Sequence, residues 1–547
     1  MRNIIVILLL FIFNQHVSAQ TNSASFPLTP KPKIVIGLVI DQMRWDYLYR
    51  YENKYGADGF RRLVREGYNC QNTHINYSPT YTAPGHACIY TGSIPALHGI
   101  SGNNWFDYKA DSIVYCTEDN SVASVGSKTK AGKMSPQRML TTTIGDELRL
   151  ATNFQSKVIG IAIKDRSSIL PAGHSANAAY WYDGSANNWI SSTYYMDSLP
   201  LWVQEFNRQQ LAKKYLAANW EALLPLDKYT ESHEDNVPFE SPFKNEVIPV
   251  FGHKVSELAI EKTEIIKSTP WGNSFTLDFA KATLLGEKMG KGKSTDFLAV
   301  SLSSTDYIGH QFGPNSVEQE DDFIRLDKEI ASFLRFLDSL YGKNNYLLFL
   351  SADHGAAHIP AYLETKKVPA GVYEYDSLGS MVNHFLESKY GEGKWIHAFE
   401  NQQLFFNHSL IKAKDISEDD VKVELKEYLL SLPGIAQVFD MHDLAEENYD
   451  AHFLQMIKNG YYPGRSGDVF VNFEPAWFEG YTKGTTHGTI YPYDTHIPLI
   501  FFGWKIKPKE DFSEVFMTDI TATLAAILHI QAPNGCVGKP IIGLLQK

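Results

Sequence analysis

Cysteine, positive charge and long apolar runs are all scarce in this chain. Only four cysteines occur in 547 residues, which excludes a disulfide-stapled mini-protein. Lysine and arginine number 50 against 62 aspartates and glutamates, so the chain, with a formal net charge of −12, lacks the basic excess of a protein that wraps nucleic acid. Taken alone, the acidic balance also argues against an anionic ligand. The apolar content of 44% excludes a disordered chain.

The amino terminus carries the features of an export signal. Arg2 supplies a positive charge, residues 4–13 form an apolar run, and Val17-Ser18-Ala19 fits a small-x-small cleavage site. The run is shorter than the roughly 20 apolar residues that a membrane span needs, and no later segment is apolar enough to span. We predict a signal peptide over residues 1–19 and a secreted or periplasmic mature chain. The alternative is a buried first strand or helix.

Export makes disulfide bonds possible without specifying them. Cys70, Cys88, Cys116 and Cys536 allow three full pairings, and sequence cannot choose among them. Their spacing matches no zinc-binding CxxC pattern. We interpret them as structural, either bridged or present as buried thiols.

Short apolar runs recur along the chain and are typical of strands buried on both faces of a parallel sheet. They cover residues 34–40, 158–163, 297–302, 346–350 and 499–502. Between them, Ser135-Pro136 predicts the start of a helix reaching about Leu150, and apolar residues from Phe323 to Leu337 recur at helical spacing. This alternation predicts an α/β fold with a doubly wound, mostly parallel central sheet and helices on both faces.

Two stretches interrupt the alternation. Residues 170–270 are rich in Tyr, Trp, Asn and Ser, and residues 360–480 combine a capped helix with loop-like segments. We interpret both as cap segments inserted into a single catalytic domain over residues 20–547. An independent accessory domain is the alternative.

Charged residues and histidines follow four of the apolar runs. In chain order they are Asp41, then Lys164 and Arg166, then Asp306 and His310, then Asp353 and His354. In open α/β sheets ligands bind beyond the carboxyl ends of the strands, so we expect these side chains to meet. Aspartate and histidine together are good ligands for zinc or a similar divalent ion. For Asp41 alone a helix cap is the commoner explanation, but three strand ends repeat the theme.

A hydroxyl and one more histidine complete the candidate set. Thr82, in PTYTAPGHA, precedes a predicted short helix, so it is expected at a helix N-terminus where free backbone N–H groups suit a phosphate oxygen. A nearby metal would lower the pKa of its hydroxyl and make it a nucleophile. A plain N-cap role for Thr82 is compatible with this. His487 lies in a Gly/Thr-rich loop before the last apolar run and would be weak evidence alone.

Together these motifs resemble the alkaline phosphatase superfamily of two-metal phospho- and sulfo-transferases. The matching pieces run in order along most of the mature chain: Asp41, Thr82 in PTYTAPGHA, Asn103 in HGISGNNWFD, Asp306-x3-His310, Asp353-His354-Gly and His487. The threonine and HGISGNNWFD are similar to the nucleotide pyrophosphatase/phosphodiesterase branch. Lys164-x-Arg166 departs from that branch and is similar to the phosphate-irrepressible, single-chain bacterial alkaline phosphatases, which are monoesterases.

The resemblance implies two zinc ions and a phosphothreonine intermediate on Thr82. By that analogy Asp306, His310 and His487 hold one zinc, while Asp41, Asp353 and His354 hold the other, which also contacts Thr82. Asn103, Lys164 and Arg166 would bind the non-bridging phosphoryl oxygens. Three alternatives stay open: a solvated Lys164, an Arg166 paired with Asp165, and Asn104 in place of Asn103.

Charge arithmetic favours a phosphate monoester as substrate. Two zinc ions balance Asp41, Asp306, Asp353 and a Thr82 alkoxide, which leaves the charges of Lys164 and Arg166 to match a monoester dianion. The sequence therefore predicts a secreted or periplasmic alkaline phosphatase acting on small phosphate monoesters, in the service of phosphate acquisition and as a monomer. One alternative is a phosphodiesterase or nucleotide pyrophosphatase on the same scaffold, and another is a binding protein without catalysis.

Overall fold

The computed structural model describes residues 30–260, 262–445, 447 and 449–546. The predicted signal peptide, residues 1–19, lies outside the described residues. Within these described ranges, none of the helices combines the length and the apolar character required to cross a bilayer.

Eighteen strands are present among the described residues. In chain order they are β1 Ile34–Ile40, β2 Tyr68–His74, β3 Asn104–Asp107, β4 Ser112–Tyr115, β5 Ser124–Val125, β6 Val158–Ala162, β7 Ala178–Asp183, β8 Asn188–Ser192, β9 Asp296–Leu302, β10 Tyr346–Ser351, β11 Gly371–Glu374, β12 Ile396–Glu400, β13 Gln403–Phe406, β14 Ile435–Asp440, β15 Val469–Phe473, β16 Trp477–Gly480, β17 Leu499–Gly503 and β18 Lys509–Phe516. All five predicted apolar runs are strands, with ends within one residue of the prediction.

Ten of these strands form the central sheet, in the order β18-β2-β17-β10-β1-β9-β6-β7-β8-β5. The neighbours β10, β1, β9, β6 and β7 run parallel, and they place the apolar runs at the centre of the sheet. β17 differs from the expected parallel direction, since it pairs antiparallel with both β10 and β2. The predicted fold class, a mostly parallel α/β sheet, is confirmed.

The register of the parallel strands determines where the site forms. Ile40 pairs with Leu302, Val39 pairs with Ser351, and Ser301 pairs with Ala162. The four strands therefore end at the same level, and the segments that follow them lie side by side at one edge. Every residue of β1, β6, β9 and β10 is buried, so this edge is built on a rigid base.

Twenty α-helices are present among the described residues. Their bounds are α1 Tyr47–Arg50, α2 Phe60–Glu66, α3 Thr82–Thr91, α4 Pro95–His98, α5 Ile144–Ala151, α6 Asp165–Ala172, α7 Leu201–Arg208, α8 Leu211–Tyr215, α9 Val255–Leu258, α10 Trp271–Gly286, α11 Ser304–Phe312, α12 Val317–Tyr341, α13 Pro360–Thr365, α14 Ser377–Tyr390, α15 His408–Ala413, α16 Glu418–Leu430, α17 Ala451–Gly460, α18 Pro492–Thr495, α19 Asp519–Leu528 and α20 Ile542–Leu545. Short 3-10 turns lie at Glu52–Lys54, Lys130–Gly132, Leu226–Lys228 and Thr263–Ser268.

One helix boundary was predicted wrongly. The helix expected from Ser135-Pro136 begins only at Ile144, because Thr143 and Asp146 form a reciprocal capping box there. The Ser135 hydroxyl instead donates to Asp119 Oδ2 at 2.6 Å. The long amphipathic helix expected around Phe323 to Leu337 is α12.

A second sheet, β12-β13-β15-β14, lies within residues 396–473 and has its own hydrophobic core with α14 and α16. The hairpin of β3 and β4 packs on this sheet, since Phe106 stacks on His397 at 4.4 Å between ring centroids. We refer to residues 371–480 as the cap.

All four cysteines are free thiols, and Cys70, Cys88 and Cys116 are buried. Disulfide bonds and buried thiols are the alternatives that the sequence leaves open for these cysteines, and the structure has thiols. Burial raises the pKa of the Cys88 thiol well above its ordinary value, so it remains protonated.

Candidate metal and active site

Three buried aspartates meet at the carboxyl edge of the parallel strands. Asp41 follows β1 directly, Asp353 follows β10, and Asp306 lies in the first turn of α11 after β9. Lys164, at the start of α6 after β6, donates to Asp41 Oδ2 at 2.7 Å and to Asp306 Oδ2 at 2.6 Å. The ends of the parallel strands thus bring together side chains that are up to 312 positions apart in sequence, from Asp41 to Asp353.

Three histidines complete the cluster, and each points the same ring nitrogen into it. Nδ1 of His310 lies 2.8 Å from Thr485 O, Nδ1 of His354 lies 2.9 Å from Gly355 O, and Nδ1 of His487 lies 2.7 Å from Thr80 O. A carbonyl oxygen only accepts hydrogen bonds, so each Nδ1 carries a proton and Nε2 is the nitrogen that faces the cluster. Such an arrangement orients imidazoles as metal ligands.

The ligand atoms form two overlapping groups in which all atoms lie within 4.8 Å of one another. One group is Asp41, Asp353 and His354, the set that the resemblance implies for one zinc. The other is Asp306, His354 and His487, with His354 in the place expected for His310. His310 Nε2 nevertheless lies 3.1 Å from Asp306 Oδ1, and the His310 side chain is 35% exposed. His354 therefore lies between the two groups.

The donor set fits divalent metal ions. Among the described residues, Asp41 Oδ1 and Asp353 Oδ2 are buried atoms with no hydrogen-bond partner. A buried anionic oxygen costs free energy unless a cation or a donor compensates it. Carboxylate oxygen and imidazole nitrogen at these separations are the ligands of zinc and similar ions.

The electrostatics of the cluster also indicate a need for positive charge. Burial, reinforced by the charge of Asp353, raises the pKa of Asp41 well above its usual range. Burial would likewise raise the pKa of Asp306, but His310 and Lys164 outweigh it and hold that pKa well below its usual range. For Lys164, burial opposes the charged form, but the carboxylates of Asp306 and Asp41 outweigh it and the pKa is raised.

Burial and the neighbouring charges shift the pKa values of the three histidines in different directions. Burial lowers the pKa of His354 and, helped by the neighbouring His354 and His310, lowers that of His487 well below its ordinary value. Both imidazoles are therefore neutral at physiological pH, as metal ligands must be. For His310, burial acts in the same direction, but Asp306 outweighs it and the pKa is raised.

Thr82 is the first residue of α3, and Tyr81 rather than Thr82 is the N-cap. Its Oγ lies 3.3 Å from His354 Nε2, at the boundary of the two ligand groups. Asn103 precedes β3, and its Oδ1 accepts a hydrogen bond from Ala83 N at 2.9 Å. This bond leaves the two amide hydrogens of Asn103 for another acceptor beside Thr82. Asn104 instead lies on β3, where its backbone carbonyl accepts a hydrogen bond from Asn401 Nδ2.

The two cations of Lys164-x-Arg166 differ in their surroundings. The Lys164 side chain is 1% exposed, so the alternative of a solvated surface lysine is wrong. The Arg166 guanidinium donates to Tyr115 Oη at 3.1 Å, while Asp165 Oδ1 accepts from Tyr115 and from the Arg166 amide. Tyr115 therefore joins Arg166 to Asp165 and orients the guanidinium.

Two contributors escaped prediction. Gln42 has a left-handed backbone with φ 64°, and this lets its N–H donate to Asp353 Oδ1 at 3.2 Å and its Nε2 donate to Asp306 Oδ1 at 2.8 Å. His86 Nδ1 bonds to Thr82 O at 2.9 Å and lies 3.2 Å from Asp353 Oδ2. His86 had the weak signal of lying one helical turn after Thr82, whereas Gln42 had none beyond following Asp41.

A family described as Type I phosphodiesterase / nucleotide pyrophosphatase matches residues 35–496. The chain is 47% identical to alkaline phosphatase PhoV of Synechococcus elongatus, over 97% of this chain and 96% of that protein. It is 49% identical to a Myroides odoratus protein named calcium-transporting ATPase, over 93% and 94% of the two chains.

A third relative is known in three dimensions. Alkaline phosphatase PafA of Elizabethkingia meningoseptica is 44% identical over 96% of both chains. A crystal structure of wild-type alkaline phosphatase PafA superposes with a TM-score of 0.93 at 43% identity, covering 95% of this chain and 100% of that chain. Both the sequence and the whole fold are therefore shared with this protein.

Proposed function

Because this chain belongs to the Type I phosphodiesterase / nucleotide pyrophosphatase family, and within it to the PafA- and PhoV-type alkaline phosphatases, we propose that it hydrolyses phosphate monoesters with Thr82 as nucleophile. The enzyme is a phosphoric monoester hydrolase, and the diesterase alternative has less support. One observation carries the nucleophile assignment: Thr82 Oγ lies at a helix N-terminus beside His354, where the two ligand groups meet.

We assign the metal ligands from the same geometry. Asp41, Asp353 and His354 would hold one ion; Asp306 and His487 would hold the other, together with His310, which the resemblance implies and which lies 3.1 Å from Asp306, and His354 lies at the boundary. The proposed metal is zinc, two ions per chain, supported by the mixed imidazole and carboxylate donors. When bound, the ions acidify the Thr82 hydroxyl and offset the charge of the leaving oxygen.

The chain's own residues then direct the reaction. Thr82 Oγ gives up its proton to solvent and attacks phosphorus, so the Oγ–P bond forms and the bond from phosphorus to the ester oxygen breaks. The departing alcohol takes up a proton, and phosphothreonine remains. Water next attacks phosphorus, the Oγ–P bond breaks, and Thr82 regains its proton as inorganic phosphate leaves. Atoms balance as monoester plus water giving alcohol plus phosphate.

Asn103, Lys164 and Arg166 are proposed to bind the phosphoryl oxygens. Ala83 N anchors Asn103 and Tyr115 anchors Arg166, so these two donor groups are preorganised. Lys164 donates to Asp41 and Asp306 and keeps one N–H for a phosphoryl oxygen. Fixed donors stabilise the charge on the equatorial oxygens of a loose phosphoryl transition state without reorganising. The two cations favour a dianionic monoester over a singly charged diester.

We further propose that the enzyme acts outside the cytoplasm on small phosphate monoesters, as a monomer that releases phosphate for uptake. The basis is the apolar segment at residues 4–13 with its cleavage pattern.

The test is a kinetic panel of a phosphate monoester, a matched diester and a sulfate ester, with bound metals quantified. Thr82→Ala should lose turnover on the order of 10⁴-fold or more, because no nucleophile replaces the hydroxyl. Metal content should change little in this variant, since six other ligands remain. Substantial turnover by Thr82→Ala would mean that another group attacks phosphorus.

A double variant, Lys164→Ala with Arg166→Ala, tests the substrate class. Loss of monoester activity should exceed loss of diester activity, with each missing donor contributing ~10²–10³-fold. Ser168→Ala, a buried change on the same helix α6, serves as the matched control. Equal losses on both substrates would contradict the proposed role of the cations.

A further inference from the structure

The cap reaches the sheet-edge site through the tight turn between β12 and β13. Glu400 pairs with Gln403, which leaves two residues for the turn of this β-hairpin. They are Asn401 and Gln402, and their φ values of 57° and 62° are both positive, as in a type I′ turn. Connecting segments usually run over the protein surface, but Asn401 is 8% exposed and Gln402 is 4% exposed. We refer to Asn401 and Gln402 as the cap turn.

Asn401 holds the segment that carries Asn103. Its Nδ2 donates to the backbone carbonyl of Asn104 at 2.6 Å. Its side chain also lies so close to Gly102 that any side chain at Gly102 would collide with it. Asn401 therefore contacts the residues immediately before and after Asn103. Because the Asn103 side chain is anchored by Ala83 N, this second contact fixes the backbone from which the anchored amide projects.

Gln402 contacts a different segment of the site. Its Nε2 donates to Gly488 O at 2.7 Å, and Gly488 follows His487. The same carbonyl accepts from Thr80 N at 3.3 Å, while His487 Nδ1 lies 2.7 Å from Thr80 O. Gln402 therefore joins the bonded pair of segments that orients the His487 ring and leads into Thr82.

The residue at the second position of the cap turn is not the one that a hairpin alone favours. Type I′ turns prefer Asn followed by Gly, because both central positions need a positive φ. Asn401 meets the first preference, whereas Gln402 carries a Cβ in the left-handed region. Val471 N donates to Gln402 O at 2.8 Å and so holds this backbone against β15. Backbone strain of this kind concentrates at functional sites, which directs attention to what the Gln402 side chain does.

We propose that Asn401 and Gln402 are positioning residues for phosphoryl transfer. Asn401 aligns the Asn103 amide, and Gln402 aligns the loop that presents His487. The inference rests on the proposed function, in which Asn103 binds a phosphoryl oxygen and His487 binds a metal ion. Such an effect can be large, because a misplacement of about 1 Å at a reacting centre can cost 10²-fold in rate. The cap thus acts in catalysis through groups that belong to the sheet edge.

Gln402→Gly separates the turn from the side chain. The change gives the Asn-Gly pair that a type I′ turn prefers, and Gly488 O keeps its bond from Thr80 N. A residue needed only for the turn would tolerate this substitution or gain stability from it. We expect a thermal midpoint within a few degrees of the wild type. Zinc affinity of the apoprotein, measured by competition with a chromophoric chelator, should nevertheless fall about 10-fold, because the His487 loop is less well fixed.

Asn401→Gly tests the contact with the Asn103 segment. Glycine also suits a φ of 57°, so the hairpin is kept while the amide donor is lost. We expect kcat/KM on a phosphate monoester to fall on the order of 10-fold. In an Asn103→Ala background the same change should cost less than about twofold, because the amide that Asn401 aligns is already absent.

Asn407→Gly is the matched control. Its Nδ2 also donates to a backbone carbonyl of the cap, that of Lys394 at 2.9 Å, and Asn407 is the N-cap of α15 rather than part of the cap turn. We expect its kcat/KM and its zinc affinity to stay within about twofold of the wild type, since glycine costs little at a helix N-cap.

Two results would overturn the proposal. One is an equal loss of kcat/KM from Asn401→Gly with and without Asn103→Ala, which would assign Asn401 to the stability of the cap. The other is wild-type zinc affinity in Gln402→Gly. Failure of the proposed function itself is distinguishable, because Asn103→Ala alone would then retain the kcat/KM of the wild type.

Discussion

Two clusters of histidine and carboxylate in this molecule share a composition but differ in what their imidazoles face. At the sheet edge, backbone carbonyls hold Nδ1 of His310, His354 and His487, and Nε2 points at the carboxylates. The second cluster lies in the cap and consists of His408, His442, Glu418 and Asp468, and we refer to it as the cap cluster.

In the cap cluster both nitrogens of one ring face carboxylates. His408 Nδ1 lies 3.1 Å from Glu418 Oε2, and His408 Nε2 lies 3.3 Å from Asp468 Oδ1. His442 Nε2 lies 3.1 Å from the same Asp468 oxygen. Hydrogen bonding to Asp468 raises the pKa of His408 to about 9, and the ring is an imidazolium at neutral pH.

The partner of Nδ1 therefore distinguishes His408 from the three histidines at the sheet edge. A carbonyl on Nδ1 fixes one proton there, so that the neutral ring offers Nε2 to a metal. A carboxylate on each nitrogen favours the doubly protonated ring, which forms ion pairs instead. His408, Glu418 and Asp468 also lie within ligand distance of one another, so proximity alone would have classed the two clusters together.

The largest expected difference comes from removing one imidazole from each cluster. His354→Ala should lower kcat/KM by ~10³-fold or more, because His354 belongs to both ligand groups and metal stabilisation is worth several kcal/mol. His408→Ala should leave kcat/KM within about threefold, since exposed ion pairs contribute little. Steady-state kinetics with metal content of both variants checks this. A comparable loss in His408→Ala would break the comparison.

A smaller difference is expected from the neighbours that hold the carboxylates. Gln42→Ala removes the amide donor to Asp306 and should weaken metal affinity ~10–100-fold, measured by competition with a chromophoric chelator. Tyr108→Phe is the matched change in the cap, because it removes one donor to Asp468 while Phe406 N still donates. It should reduce the free energy of unfolding by about 0.5–1.5 kcal/mol and leave metal affinity unchanged. Weakened metal affinity in Tyr108→Phe, with unchanged affinity in Gln42→Ala, would contradict the assignment of the metal site to the sheet edge.

The smallest effect is a pH dependence of stability in the cap. The folded pKa of His408, about 9, exceeds the ordinary 6.5, so its stabilisation is complete below about pH 6.5 and is lost as pH rises through about 9. Hydrogen bonds from His408 and His442 outweigh burial and lower the pKa of Asp468 below 3.8, so its contribution is present above that pH. Wild type and His408→Gln should differ by less than about 1 kcal/mol near pH 6 and by nothing near pH 10. Urea unfolding at both values checks this, and a difference that grows with pH would contradict the assignment.

Much of the site could be predicted because its residues follow apolar runs. Asp41, Lys164, Asp306 and Asp353 each come within four residues of a strand end, and parallel strands in register end at a common edge. The antiparallel direction of β17 and the start of α5 at Ile144 were less accessible, since a short apolar run carries no direction and two helix-start signals competed.

Sequence by itself determined the α/β class, the central strands and the set of side chains that meet at their ends, because hydrophobic periodicity and strand-end position are local properties. The tertiary structure alone decided the orientation of the His310, His354 and His487 rings, the bridging position of Gln42, and the burial of Lys164 between two carboxylates. Each of these features depends on which backbone carbonyl or carboxylate lies within hydrogen-bond distance of the side chain. Most of those partners come from segments far apart in the chain.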